Sequence, residues 1–255
     1  MTDVHPEAAR GFAREAGRYA RGRPDYPQGL LPWLRESLQL GPGRHVIDLG
    51  AGTGKFTALL VRTGARVTAV EPVDAMRAEL VGVLPGVTAL AGTAQAIPVD
   101  TGSADALVCA QSFHWFATRS ALQEIHRVLK PGGRLGLVWN VRDDSVDWVA
   151  QIARLVNAHA GDAPREGSGE WRRVFTGELF TAPVEAVFPH VHRGTPEQVI
   201  IDRVFSTSFI AALPAAEQAT LLQRLQDLIA THPQLRGRAV VDYPYRTHAW
   251  HCLRR

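Results

Sequence analysis

The stretch IDLGAGTGKF, residues 47–56, decides how this chain folds. Apolar residues run into a turn with three glycines, and the turn runs into a lysine. A P-loop needs G-x-x-x-x-G-K-[ST]. Anchored on Gly54-Lys55, that pattern puts Leu49 where its first glycine belongs and Phe56 where its hydroxyl belongs. A dinucleotide turn needs G-x-G-x-x-G. Gly50 and Gly52 match its first half, but Lys55 takes the third position, where glycine lets helix and strand pack closely over a pyrophosphate. What remains is Asp48-x-Gly50-x-Gly52-x-Gly54. The glycines let a ligand approach the backbone without Cβ interference. An acid two residues before them is odd beside a pyrophosphate and sensible beside a cation. Carboxylate, glycine backbone and helix N-terminus together suit a zwitterionic amino-acid tail.

Working outward, Glu71 closes the next apolar run, 21 residues after Gly50, where an acid accepts hydrogen bonds from ribose hydroxyls. HVIDLG (45–50), RVTAVEP (66–72), GVTALAG (86–92), ADALVCAQ (104–111) and RLGLVWN (134–140) read as strands. Between them KFTALLVRTG (55–64), DAMRAELVGVLPG (74–86) and SALQEIHRVLKPGG (120–133) read as helices, the last stopped by Pro-Gly-Gly. That alternation predicts βαβ units and a parallel sheet. After Asn140 the rhythm changes. Residues 144–160 read as an amphipathic helix, 161–170 as a polar loop and 183–194 as a strand. Residues 195–231 read as helical, with Thr195, Pro196 and Gln198 forming a start signal and Pro214 starting a further helix. Residues 238–254 read as a closing strand bent at Pro244.

Composition narrows the class. The 255 residues suit one large α/β domain with an inserted cap. Twenty-eight basic and 25 acidic residues are scattered, so no basic arm for nucleic acid is expected. Two cysteines, Cys109 and Cys252, set up neither a disulfide framework nor a Cys₄ metal site. The N-terminus lacks an apolar h-region, and no 18-residue apolar run occurs. These features lead to the expectation of a cytoplasmic protein that neither carries a signal peptide nor spans a membrane. His190-x-His192 shares one strand face, but no third ligand stands nearby in sequence, so no metal is expected.

DLGAGTGKF followed by AVEP resembles the class I S-adenosylmethionine (SAM)-dependent methyltransferases. VEPVDAM (70–76), residues 92–116 and residues 121–143 are similar to the family's later motifs. FAREAGRYARGRPDYP (12–27) resembles the lead-in of a small-molecule branch, of the methyltransferase type 11 kind, that includes trans-aconitate and ubiquinone-pathway enzymes; YPYRTHAW (243–250) resembles that branch's end. The resemblance implies a Rossmann-like three-layer sandwich with a seven-stranded, mostly parallel sheet. It implies a SAM-binding core over 1–143 with an N-terminal lid helix, a helical cap over 144–236 that includes the strand at 183–194, and a strand over 237–255 completing the core. Residues 144–236 match no motif.

The resemblance also implies roles. Asp48, Gly50, Ala51, Gly52, Glu71, Pro72, Met76, Thr93, Ala94, Gln95 and Gln111 would border the cofactor, with Met76 lining the adenine and Tyr19 and Arg23 holding the methionine carboxylate. Many relatives carry an acid-alanine pair where this chain has Thr93-Ala94, so a threonine oxygen or a backbone group would meet the adenine amine. In QSFHWF (111–116), Phe113, Trp115 and Phe116 would pack on substrate or sulfonium. His114 would be both a substrate contact and a catalytic base, since histidine titrates near neutrality. Trp139 and Asn140 would border the acceptor. The implied reaction moves a methyl group from SAM to an oxygen, nitrogen or carbon of a small organic acceptor, leaving S-adenosylhomocysteine (SAH). A scaffold that binds SAM or SAH without turnover would carry the same residues. A NAD-dependent oxidoreductase is disfavoured by Lys55 and Asp48.

Overall fold

A computed structural model describes residues 22–161 and 164–255. Seven strands form one sheet in the order β3-β2-β1-β4-β5-β7-β6. They are β1 (His45–Leu49), β2 (Arg66–Val70), β3 (Thr88–Leu90), β4 (Ala104–Ala110), β5 (Leu129–Arg142), β6 (Val184–Gly194) and β7 (Val241–Leu253). Strand β7 runs antiparallel to β5 and β6, and the remaining pairings are parallel. This is the seven-stranded, mostly parallel sheet that the resemblance implied.

The central strands explain themselves. All five residues of β1 are buried, Asp48 included, because helices cover both faces of the sheet. On one face, Leu30, Trp33 and Leu34 of α1 (Leu30–Glu36) pack with Phe56, Leu59 and Leu60 of α2 (Lys55–Val61) over Val46 and Val108. On the other, Leu122, Ile125 and Val128 of α4 (Arg119–Val128) pack with Phe113, Trp139 and Trp171 over Ile47 and Leu107. Helix α3 is Asp74–Val83. A third apolar cluster joins α5 (Asp147–Asn157) to Val199, Ile200 and Val204 and to Tyr243 and Tyr245 of β7.

Two local expectations need correction. The helix expected over 120–133 ends at Val128, and Leu129 already pairs with Ala104. Pro131 disfavours helical backbone at Lys130, so the chain turns extended before the glycines rather than at them. Residues 195–231 do not form plain α-helix throughout. The segment opens as a π-helix, Glu197–Asp202, and continues through α6 (Arg203–Phe205) and α7 (Ser208–Ala211) to α8 (Ala215–Thr231). Its start follows the sequence signal: Thr195 Oγ1 accepts from the Gln198 amide at 3.3 Å, and Gln198 Oε1 accepts from the Thr195 amide at 3.3 Å. Pro244 lies inside β7 but one residue beyond its last pair with β5, Arg142↔Tyr245, so its missing N–H breaks no bond to β5.

Candidate active site

The strand order reverses between β1 and β4, and a cleft opens at their carboxyl ends, where open α/β sheets bind ligands. Gly50 and Ser112, the residues that leave the two strands there, touch. A Cβ on Gly50 would lie 2.7 Å from the Ser112 Cβ, and Gly50 has φ +73°, so glycine is required twice over. Ser112 Oγ donates to the Leu49 carbonyl at 2.8 Å and locks the two loops together. Sequence reasoning passed over Ser112, because a serine after a strand carries no signal of its own. Gly54 has φ +88°, and a Cβ there would lie 2.9 Å from Leu80, so this glycine lets α3 press on the turn.

Asp48 is fully buried beneath that turn. Its Oδ2 accepts from Thr57 Oγ1 at 2.7 Å, while Oδ1 has no hydrogen-bond partner among the described residues. Burial is the main reason its pKa rises to about 7; the Thr57 bond opposes the rise and the charge of Glu71 adds to it. A buried carboxylate with one oxygen unpaired is a receptor for a cation. Glu71, 5% exposed, bridges two amides, its Oε2 accepting from Gly52 and its Oε1 from Val73, both at 2.9 Å. Burial raises its pKa, and those two donors and Arg77 pull it back. Each Glu71 oxygen keeps a second lone pair for a ligand hydroxyl.

The same cleft is lined by Ala51, Pro72, Met76, Thr93, Ala94 and Gln95 on the β2–β3 side and by Gln111, Trp115, Phe116 and Asn140 on the β4–β5 side. Thr93 and Ala96 exchange backbone hydrogen bonds, which folds the 93–96 turn onto the rim. Gln111 has φ +58°, a left-handed conformation that costs a non-glycine residue on the order of 1–3 kcal/mol, and nothing in the sequence signals it. Asn140 is buried, with its Nδ2 donating to the Asp25 carbonyl at 3.0 Å and its Oδ1 accepting from Thr247 at 2.6 Å. Asp25 is tied in turn to Lys55 at 2.8 Å. Arg23 lines the cleft, and its Nη2 donates to the Ser206 carbonyl at 3.1 Å. Tyr19 lies outside the described residues.

Three expected contacts sit elsewhere. Phe113 is fully buried among Phe116, Trp171 and Phe175, and Trp139 is 1% exposed against Trp171; both belong to the core beneath the cleft rather than to its lining. His114 is likewise not among the lining residues, and Trp139 Nε1 donates to its Nδ1 at 3.1 Å. Burial, with the charge of Arg23 second, lowers its pKa to about 3. The ring is thus neutral near pH 7, with its proton on Nε2 and its acceptor nitrogen already used. Such a ring donates a hydrogen bond and is poorly suited to act as a general base. Conversely, Arg203 lines the cleft and had escaped notice, because residues 144–236 carry no motif to flag it. Among the described residues, no group of three or more His, Cys, Asp or Glu side chains is placed to hold a metal ion.

Residues 47–137 match the family model described as a methyltransferase domain. A protein of Mycobacterium tuberculosis, named an uncharacterised methyltransferase, is 39% identical over 247 residues, which is 97% of both chains. The chain belongs to the class I methyltransferase family. Among solved structures, a protein assigned as a type II methyltransferase from Anaeromyxobacter dehalogenans superposes on this methyltransferase with a TM-score of 0.65. It covers 91% of this chain and 96% of its own at 23% identity. The Haemonchus contortus phosphoethanolamine N-methyltransferase 2, solved with phosphomonomethylethanolamine and SAH, gives a TM-score of 0.56 at 14% identity. That match covers 99% of this methyltransferase and 60% of the other chain. At such identities the two structures testify to the fold alone. No helix among the described residues is long and apolar enough to cross a membrane.

Proposed function

We propose that this chain transfers the methyl group of SAM to an oxygen, nitrogen or carbon of a small organic acceptor and releases SAH. The observation that carries the reading is Asp48: a fully buried carboxylate with an unpaired oxygen at a glycine-walled turn, opposite Glu71 in one cleft. SAM supplies an electrophilic methyl on a cationic sulfur, and a neutral thioether is what departs. The residues fit that molecule. Asp48 would hold its ammonium group and Glu71 its ribose hydroxyls. Met76 and the 93–95 turn, with Thr93 in place of the usual acid, would border its adenine. Arg23 would meet its carboxylate, with Tyr19 proposed beside it. Trp115 and Phe116 would wall the methyl end and exclude water.

A neutral leaving group makes few demands on acid catalysis, and the low pKa of His114 accords with that. The chain's contribution is then alignment, which is worth on the order of 7–11 kcal/mol at best. The cap at 144–236 would close over the acceptor. A small acceptor is favoured because the cleft's rim is aromatic and the chain has no basic tract for RNA.

Calorimetric titration with SAM, SAH and NAD tests the cofactor. SAM and SAH should bind the wild type and fail to bind Asp48→Ala and Glu71→Ala; binding of NAD alone would revive the oxidoreductase reading. Transfer of label from methyl-tritiated SAM into an extract of small metabolites tests turnover. Tight SAM binding with no label transferred to any fraction would leave a non-catalytic SAM-binding scaffold. Label appearing in RNA would overturn the small-acceptor part.

A further inference from the structure

Arg203, which is 8% exposed, forms part of the cleft wall. Its Nε donates to the Tyr245 hydroxyl at 3.2 Å and its Nη1 to Thr207 Oγ1 at 3.3 Å. Neither partner is a carboxylate, and Arg203 makes no ion pair among the described residues. Its Nη2 has no hydrogen-bond partner there either, yet it is not one of the enclosed, unpartnered atoms. The atom thus keeps some exposure, on a residue that lines the cleft. A guanidinium taken out of water without an anion is costly, so an anion is the missing piece.

Among the described residues, Asp48 and Glu71 are the carboxylates that line the cleft, and neither bonds Arg203. His192, on β6, has its pKa lowered to about 4 by burial and then by the charges of Arg203 and Lys55, so it stays neutral and adds no second cation beside the guanidinium. Asp25, the nearby carboxylate, is 84% exposed and already paired with Lys55. The side chain is also held in place. Arg203 follows directly on the π-helix Glu197–Asp202, a geometry that recurs at functional sites. A Cβ on Gly22 would lie 2.5 Å from the Asp202 carbonyl, so the lead-in packs backbone against backbone on this corner.

Arg203 shares its corner with Arg23, whose Nη2 reaches the Ser206 carbonyl, and is separated from the two acids of the cleft. It hangs on Tyr245 of β7, on the opposite side of the β1/β4 switch point from Asp48 and Glu71. We infer that Arg203 anchors the methyl acceptor, and that the acceptor is a small carboxylic acid whose carboxylate is received by Nη2 and the remaining Nη1 hydrogen. The inference rests on the methyltransferase reading of the cleft. A planar guanidinium fork fits carboxylate and phosphate alike, but one guanidinium balances the single charge of a carboxylate and only half that of a phosphate dianion. An anchored, neutralised carboxylate is a weak nucleophile, so the methylated atom is another group of the same molecule.

The test uses the full chain saturated with SAH. Benzoate, hexanoate and glutarate are titrated in, each beside its primary amide, and inorganic phosphate is run in parallel. At least one acid should bind, its amide about tenfold more weakly or worse. Arg203→Met should lose about tenfold or more for that acid while its affinity for SAH changes less than about twofold, and Arg203→Lys should recover part of the loss. The acid-against-amide comparison needs no variant, and Arg203→Lys stands in if Arg203→Met does not fold. The inference is overturned if no acid in the panel binds, if amide and acid bind alike, or if Arg203→Met keeps the acid. Phosphate binding above every acid would also overturn it. So would an equal loss of SAH in Arg203→Met, which would assign Arg203 to the cofactor's own carboxylate. Failure of SAH to bind the wild type breaks the methyltransferase reading instead; the acids are then titrated on the protein alone, and the same Arg203 dependence decides.

Discussion

The two ends of the cleft are built from opposite materials. At the β1–β2 end the walls are glycine backbone and two buried acids, Asp48 and Glu71. At the β5–β7 end the wall is a buried guanidinium, Arg203, held from behind by the Tyr245 phenol. The acidic end suits a cationic ligand, and the basic end an anionic one. On the proposed reading, the difference teaches where acceptor specificity would reside. The acidic end lies within the segment shared with the family model, residues 47–137, whereas Arg203 lies outside it.

The sharpest way to break the comparison is at Asp48. Asp48→Asn keeps the shape and removes the charge, so affinity for SAH should fall on the order of a hundredfold by calorimetry. The same change should stabilise the free protein. Asp48 ionises near pH 4 when unfolded and near 7 when folded, so the native state binds the extra proton between those values and stability falls as pH rises through them. At pH 8 that penalty is fully present, and thermal melting of Asp48→Asn should rise above the wild type by a few degrees. A lower melting point would mean that Asp48 is already paired. Next comes Glu71→Gln. One acceptor oxygen survives, so the loss of SAH affinity should be about tenfold, and no loss would remove the ribose contact.

The pH profile sharpens the same contrast. A cation prefers ionised Asp48, so SAH affinity should weaken about tenfold between pH 8 and pH 6. Asp48→Asn should flatten that profile, and a profile unchanged in the variant would assign the titration elsewhere. The smallest effects are expected where the ends are merely held together. Lys55→Met removes a pair with a largely exposed Asp25, and the melting curve should register less than about 1 kcal/mol.

Most of the architecture was legible because apolar runs report burial directly. HVIDL and ADALVCA are mostly apolar, broken by His45, Asp48 and Asp105, and they form central strands covered on both faces. The turn at Gly50 was legible because few residues tolerate its φ and its approach to Ser112. The helix end at Val128 was misplaced by reading the glycines rather than the constraint that Pro131 places on Lys130. The π-helix was invisible, since its residues carry the same apolar spacing as an α-helix would. Phe113 and Trp139 look like cleft aromatics in the sequence, yet packing on Trp171 and Phe175 draws them inward. Trp171 is 32 residues beyond Trp139, and no spacing rule reaches that far.

By itself the sequence determined the strand alternation, the glycine turn and the two acids, because each depends on neighbours a few residues away. Only the tertiary structure decided which side chains share the cleft. Thr57 occupies one oxygen of Asp48 and leaves the other open, Trp139 takes the acceptor nitrogen of His114, and Tyr245 holds Arg203 across 42 residues of chain. Charge and protonation at a site depend on burial and on partners brought from distant segments, and those are properties of the packed chain rather than of any local stretch.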